Sequence, residues 1–585
     1  MTATIATGSI AAQGRRWRWN SWAAGMIGLA GIASVLILAL LAIVLWLSVL
    51  DGQPGDANVA YTFKYYVEIF ADPFTYTVLY NTLVFSAITL VVAMAFGVPL
   101  AWLVERTNLP LKPVILATMT VGLILPGFAT AIGWQFLFHP RIGMVNLWLK
   151  ELFGFTDSPI NIGTLLGMGW VQGLGLAAVA FVMTSVVFRA MDSSLEESAH
   201  MSGANTRQTL FRVTVPMVWP GVLAAGIYIF MIGFAAFDVP AIIGLAGNIF
   251  TFSTYAYDQV KPTGMLPEYG LVGALSMVMV VLGLILSWWY TKVQSKAPRY
   301  AVITGKAYRP RIIDLGRAKG IAVAFVVIYL LLAQILPLLV VVWTSSQPFP
   351  QPPTAHAIAQ ATLGHYAHLT ADSLWLGVRN TATLMVLTPT ITLVVSFAFS
   401  WVVLRSRLPG RTAFDFAAFM PHAVPNIVFS MAALLLALFV LKDILPIYGT
   451  IWILVLVYVV SRIAYATRIT NSALIQVHKE LEEAAEVSGA QVGDIVRAVL
   501  VPLLKPAMLY AWIWMSLLTY RELTLPVLLS SNDNLPLAVV VWNLWLSGKF
   551  GEASAVAVLM LVVMMPLVLA GFWATRRMGV VAQGN

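Results

Sequence analysis

The chain alternates between long apolar runs and short polar stretches that hold most of its charge. A helix rises about 1.5 Å per residue, so about twenty apolar residues cross the roughly 30 Å hydrocarbon core of a bilayer and satisfy their backbone polar groups internally. Counting such runs predicts about twelve spans. Six lie near 24–50, 77–104, 114–138, 164–188, 214–237 and 269–291, and six more near 320–344, 379–404, 413–441, 448–472, 505–530 and 553–575. Proline removes a backbone donor and clashes with the preceding turn, so kinks or breaks are expected around Pro126, Pro240, Pro421, Pro425 and Pro526.

Composition agrees with this pattern. Of 585 residues, 60% are hydrophobic and 10% charged, against about 25% charged in soluble domains. The net charge of +9 does not indicate nucleic acid, because Lys and Arg fall between the apolar runs rather than in one patch. There are no cysteines, which excludes disulfides, thiolate metal sites and cysteine nucleophiles. The first run, about Ala23 to Leu50, follows Arg15-Arg16-Trp17-Arg18. It exceeds the roughly 7–15 apolar residues of a cleaved signal and is read as a retained helix.

Basic residues concentrate in alternate loops: Arg106 and Lys112; Arg207 and Arg212; Lys292 to Lys319; Arg405, Arg407 and Arg411; Lys479 and Arg497; Arg576 and Arg577. The opposite loops carry few, among them Lys64, Arg141, Lys150, Lys261, Lys442 and Lys549. The asymmetry places both termini in the cytoplasm. The basic stretch 292–319 reads as a cytoplasmic linker, lying against anionic headgroups, between a first half at 1–291 and a second at 320–585.

The two halves repeat each other. Leu195-Glu196-Glu197-Ser198-Ala199 matches Leu481-Glu482-Glu483-Ala484-Ala485, and the match continues through Gly203 and Gly489, Val215-Pro216 and Val501-Pro502, Pro220 and Pro506, and Pro240 and Pro526. Upstream, Asn81-Thr82 matches Asn380-Thr381, Trp102 to Arg106 matches Trp401 to Arg405, and Tyr65-Tyr66 matches His365-Tyr366. The expected fold is all-α, a polytopic membrane protein of two homologous six-helix halves. Because each half begins and ends on the same side, the halves are related by an axis along the membrane normal and enclose a path. In each repeated loop, acidic residues favour a helix start, glycine permits the turn that ends it, and proline opens the next span. The result is a short helix outside the membrane, with Glu197 and Glu483 facing away from lipid.

This pattern resembles the "EAA" motif of permease subunits in binding-protein-dependent ABC importers: Glu483-Ala484-Ala485 with Gly489 and Val501-Pro502, and a first copy with Ser198 in place of Ala. The fused form, Phe237-Asp238-Val239-Pro240, Leu266-Pro267-Glu268-Tyr269-Gly270 and Tyr520-Arg521-Glu522-Leu523 resemble the ferric-iron and thiamine type. The resemblance implies coupling to ATPase subunits through Glu196, Glu197, Ala199 and Gly203, and through Glu482, Glu483, Ala484, Ala485 and Gly489. It also implies two copies of an ATP-binding subunit, an external or periplasmic substrate-binding protein received by outer loops near 51–76 and 345–376, and a bacterial inner-membrane location. Ferric iron is the expected substrate; thiamine, aminoethylphosphonate, sugar phosphates and polyamines are the alternatives.

A charge near mid-bilayer costs about 2.5–3.5 kcal/mol on insertion scales and is a functional candidate by default. Asp238, Arg462, Arg521 and Glu522 qualify. They either line the path or pair with one another and with backbone at broken helices. The spacing of His356, His365 and His368 is read as an interfacial turn rather than a metal site, and Asn81 and Asn380 as residues that join helices. No phosphate-cradling loop is present: Ala307 follows Gly305-Lys306, and Tyr300 stands where the first glycine belongs. ATP and magnesium are therefore expected only in the partner, with no cofactor, metal or catalytic residue in this chain. An ion-driven secondary transporter would need acidic sites on several helices and no paired coupling loops.

Overall fold

The computed structural model describes residues 21–52, 59–191, 194–261, 268–294, 312–369 and 371–577. Arg15, Arg16, Arg18, Leu266, Pro267 and linker residues 295–311 lie outside the described residues, as does the side chain of His368.

The first half consists of α1 (Ser21–Ser48), α2 (Lys64–Ala71), α3 (Pro73–Arg106), α4 (Lys112–Ile124), α5 (Gly127–Phe138), α6 (Met144–Phe153), α7 (Leu165–Ala190), α8 (Ser194–Met201), α9 (Arg207–Ala235), α10 (Phe252–Val260) and α11 (Tyr269–Gln294). The second consists of α12 (Gly316–Ser345), α13 (Ala371–Leu404), α14 (Arg411–Ala423), α15 (Asn426–Val440), α16 (Ile451–Gln476), α17 (Lys479–Val487), α18 (Val492–Tyr520), α19 (Leu537–Leu546) and α20 (Phe550–Arg577). Among the described residues the only paired strands are two-residue segments, Leu50–Asp51 against Ala60–Tyr61.

Among the described residues ten helices are long and apolar enough to cross a membrane. The expected spans 114–138 and 413–441 are not single helices: α4 meets α5 at 94° and α14 meets α15 at 105°. The bends fall at Leu125-Pro126 and Val424-Pro425, where the residue before proline is driven out of helical geometry. Two further spans stop short of their expected ends, α9 at Ala235 and α18 at Tyr520, each a few residues before Pro240 or Pro526. Pro216 and Pro502 stand near the start of their spans as expected, in the first turn of the α-helical segments Val215–Ala235 and Val501–Tyr520. Helices α9 and α18 run through them because π turns at Leu210–Thr214 and Val496–Leu500 shift the hydrogen-bond ladder ahead of the missing N–H.

The repeat is physical as well as textual. Thr164 caps α7 by accepting from Gly167 N, and Thr450 caps α16 by accepting from Trp452 N. Tyr66 Oη donates to Ser48 at 2.8 Å, and Tyr366 lies 2.8 Å from Ser345. Asn81 Nδ2 donates to Phe250 O, and Asn380 Nδ2 to Asp533 O and Leu535 O, so both join helices as expected. His365 bonds Gln347 O at 2.7 Å and His356 bonds Gln360 at 2.9 Å.

The halves interlock through their first helices. Helix α1 packs on α11 and on α13, α14 and α15 of the other half, while α12 packs on α20 and on α5 of the first half. Within the first half, α3 lies almost against the backbone of α7. A Cβ on Gly97 would sit 2.7 Å from Ala177 O, and Gly169 and Gly173 seat Ile88 and Val92. Small residues permit this approach where lipid supplies no hydrophobic drive. In α16 the positions matching Gly169 and Gly173 are Val455 and Val459.

Candidate functional site

Among the described residues, the ion pairs with both side chains largely buried lie in two places: beside the short helices α8 and α17, and at the centre where four helices break.

Helix α8 is anchored by Arg106 at the end of α3. The Arg106 guanidinium pairs with Glu196, both side chains being almost wholly buried, and Glu196 Oε1 accepts from Thr214 Oγ1 at 2.6 Å. The second half repeats this anchor. Arg405 Nε donates to Glu482 Oε1 at 2.5 Å, and its Nη2 donates to Leu474 O and Val477 O where α16 ends. The repeated Glu-Glu pair therefore divides its work. Glu196 and Glu482 turn inward to hold the helix, whereas Glu197 and Glu483 are exposed.

Both helices end alike. Gly203 and Gly489 take φ of 86° and 88°, and Ala204 N bonds to Ala199 O as Ala490 N bonds to Ala485 O, each at 3.0 Å. This is the six-to-one closure for which left-handed glycine is suited. Ala199 and Ala485 are half-buried beneath the closure, and Ala484 is exposed. Beside the glutamates an apolar surface is repeated too, with Leu195 and Leu481 each 49% exposed, Met201 91% and Val487 85%. A soluble partner would find the same ridge on both helices. The link from Arg106 and Arg405 to the acidic loops was absent from the sequence reading, although both arginines end repeated helices.

At the centre, the breaks after α4, α9 and α18 and before α15 leave carbonyls without helical donors, and side chains cap them. Arg521 Nη1 donates to Leu125 O at 3.1 Å. Ser430 Oγ donates to Leu525 O at 2.8 Å, and Tyr458 Oη lies 3.5 Å from Glu522 O. Arg462 pairs with Glu522 at 2.6 Å and also reaches Leu518 O. Thr524 Oγ1 donates to Asp238 Oδ1 at 3.3 Å. Asp238 and Thr524 are 286 residues apart, the offset that separates Pro240 from Pro526, so equivalent residues touch across the axis between the halves. Tyr257 and Trp542 also meet across the halves at 3.3 Å, in helices set by matching bonds from Phe252 N to Thr82 and from Leu537 N to Thr381, which put Tyr257 and Trp542 in register. Asp238, Arg521 and Glu522 thus share one centre with Arg462. The capped carbonyls were not singled out in the sequence.

The polar surface continues to one side. Ser461, Arg462, Tyr465, Arg468, Ser472 and Gln476 recur at helical spacing along α16. The last four line a cavity of about 790 Å³ between α16 and α18, with His478 and Leu481 at the α17 end. Among the described residues no group of three or more His, Cys, Asp or Glu could hold a metal ion.

A family model described as "Binding-protein-dependent transport system inner membrane component" matches residues 96–297 and again 395–579. The chain is 24% identical to the "Ferric transport system permease protein FbpB" of Actinobacillus pleuropneumoniae over 87% of its own length and 72% of the relative's. It is 22% identical to the "Putative ferric transport system permease protein FbpB 1" of Haemophilus influenzae over 76% and 69%. The "Spermidine/putrescine transport system permease protein PotB" of Haemophilus influenzae matches 38% of this chain at 24% identity, over 78% of its own length.

Proposed function

The chain belongs to the family of binding-protein-dependent transport system inner membrane components, and from that premise we propose that it forms the whole membrane path of an ATP-driven ferric-iron importer. In this reading the halves 1–291 and 320–585 are joined by the cytoplasmic linker 292–319. Helices α8 and α17 each seat one copy of an ATP-binding subunit, which alone binds ATP and magnesium. An external substrate-binding protein delivers the cargo to the opposite face. Both termini are cytoplasmic, in a bacterial inner membrane.

The observation that carries this reading is the twice-built anchor, Arg106 to Glu196 and Arg405 to Glu482. A helix that only covered a loop would need no charged tie to the end of a spanning helix. A helix that transmits force does, and each tie joins the presented surface to α3 or α13. The exposed Glu197 and Glu483, the ridge of Leu195, Met201, Leu481 and Val487, and the glycine closures complete a presented surface of the kind a cleft in a soluble partner receives. Ferric iron is favoured by the names of the two relatives that align with most of this chain, both ferric transport system permease proteins. Polyamines are the second reading, favoured by the relative that aligns with part of the chain.

Asp238, Arg521 and Glu522 are assigned to the path, because this centre joins residues of the two halves through Arg521 to Leu125 O and Thr524 to Asp238. The test of coupling is Glu197→Arg combined with Glu483→Arg. We expect the double variant to insert normally, to lose co-purification of the ATPase subunit and to lose uptake. Normal ATPase binding and normal uptake in that variant would refute the coupling assignment.

A further inference from the structure

The caps on two of the orphan carbonyls cross between the halves, and both are cationic. Arg521, from the second half, caps Leu125 O in the first. Lys261, from the first half, caps Val527 O in the second at 3.0 Å. Each carbonyl is orphaned by its own break. Ala129 N, four residues beyond Leu125, bonds to Pro126 O instead, and Ser531 N, four beyond Val527, bonds to Asn534 Oδ1. An uncapped carbonyl within a membrane carries a heavy desolvation cost, so a cation covering it is well placed.

Around Leu125 O the remaining groups are also hard oxygens. The Asp238 carboxylate lies against Gly127, where a built Cβ would be 3.1 Å from Oδ2, and Gly127 is two residues from Leu125. Thr524 Oγ1 completes the group. Glu522 is committed to Arg462 at 2.6 Å and is not available. Asp238 accepts from the Thr524 hydroxyl and, among the described residues, has no guanidinium within salt-bridge distance.

We infer that Arg521 is a tethered cation holding the place of the cargo: it covers an oxygen site made by Leu125 O, the Asp238 carboxylate and Thr524 Oγ1, through which a hard cation passes when the halves part. The inference rests on reading this centre as the path. Carboxylate, carbonyl and hydroxyl oxygens suit hard cations rather than soft ones. One carboxylate with neutral oxygens holds such an ion loosely, and passage requires a site that can be left as well as entered. Separation of the halves would draw the Arg521 guanidinium away from Leu125 O and leave the oxygens to the arriving ion. Lys261 would release Val527 O in the same movement, making it a second latch. In the matching position of the other half stands Leu546, which cannot act in this way.

The test uses the full permease with its ATPase subunits and binding protein in proteoliposomes, given ferric iron, spermidine or molybdate as separate probes. If iron is imported, Asp238→Asn should lower its uptake at least tenfold, and Thr524→Val by less, while ATPase stimulation by the binding protein persists. Iron uptake at the wild-type rate in Asp238→Asn would overturn the site and leave the ferric reading intact. If spermidine is imported in place of iron, and Asp238→Asn abolishes that import, the ferric reading fails and the cation site stands. Import of molybdate alone would overturn both. Arg521→Gln, which uncovers the oxygens without adding bulk, supplies a readout that a purely structural arginine would not move. It should raise thallium entry into vesicles severalfold without ATP while chloride entry stays at the wild-type level. An unchanged thallium flux, or an equal rise for both ions, would overturn the tethered-cation assignment.

Discussion

At the scale of single residues, the two arginine anchors are alike in design and unlike in burial. Arg106 and Glu196 are 0% and 2% exposed, whereas Arg405 and Glu482 are 9% and 16% exposed. Removing one partner of a fully buried pair leaves an uncompensated charge, at a cost of about 3–5 kcal/mol. Arg106→Ala is therefore expected to destabilise the protein by that amount, and Arg405→Ala by less, because water reaches Glu482. Thermal unfolding of the two variants in detergent should rank them in that order. The acidic repeat was plain in the sequence, because Leu-Glu-Glu recurs within one loop of each half. Its division of labour was not. Which glutamate turns inward depends on Arg106, which lies 90 residues earlier in the chain and meets Glu196 only once α3 and α7 have packed.

At the scale of elements, proline and glycine decide the geometry. The breaks at Pro126, Pro240, Pro425 and Pro526 were legible because proline acts on its own turn and on the residue before it. The bends of 94° and 105° were not legible, since a bend angle is set by what packs on either side. The same limit hid the capping of the exposed carbonyls, whose partners come from distant sequence. Glycine at helix contacts gives a direct check. A Cβ on Gly283 of α11 would lie 2.1 Å from Ala423 O in the second half, against backbone that cannot step aside, while Gly175 of α7 has nothing within 4 Å. Gly283→Ala is expected to cost about 1–3 kcal/mol through overpacking and to weaken the joint between the halves. Gly175→Ala should cost nothing and can gain up to about 1 kcal/mol of helix propensity. Denaturation midpoints of the two variants check both statements.

At the scale of the whole molecule, two like halves exchange their first helices, meet through residues of both repeats, and each anchor one short helix by an arginine. The duplication was legible in the sequence. Its departures from symmetry needed the structure: the central charges are unequally shared, with Arg462, Arg521 and Glu522 in the second half and Asp238 in the first. On the proposed reading, closure of two soluble ATP-binding subunits would be converted into movement of the two bundles. The most direct test is uptake of ferric iron into proteoliposomes holding the permease and its ATPase subunits, with the loaded binding protein on the receiving side. Uptake is measured with ATP and with proton and sodium gradients each imposed or collapsed. The account predicts uptake that requires ATP and the binding protein and is indifferent to either gradient. Uptake that persists without ATP and follows a proton or sodium gradient would contradict it.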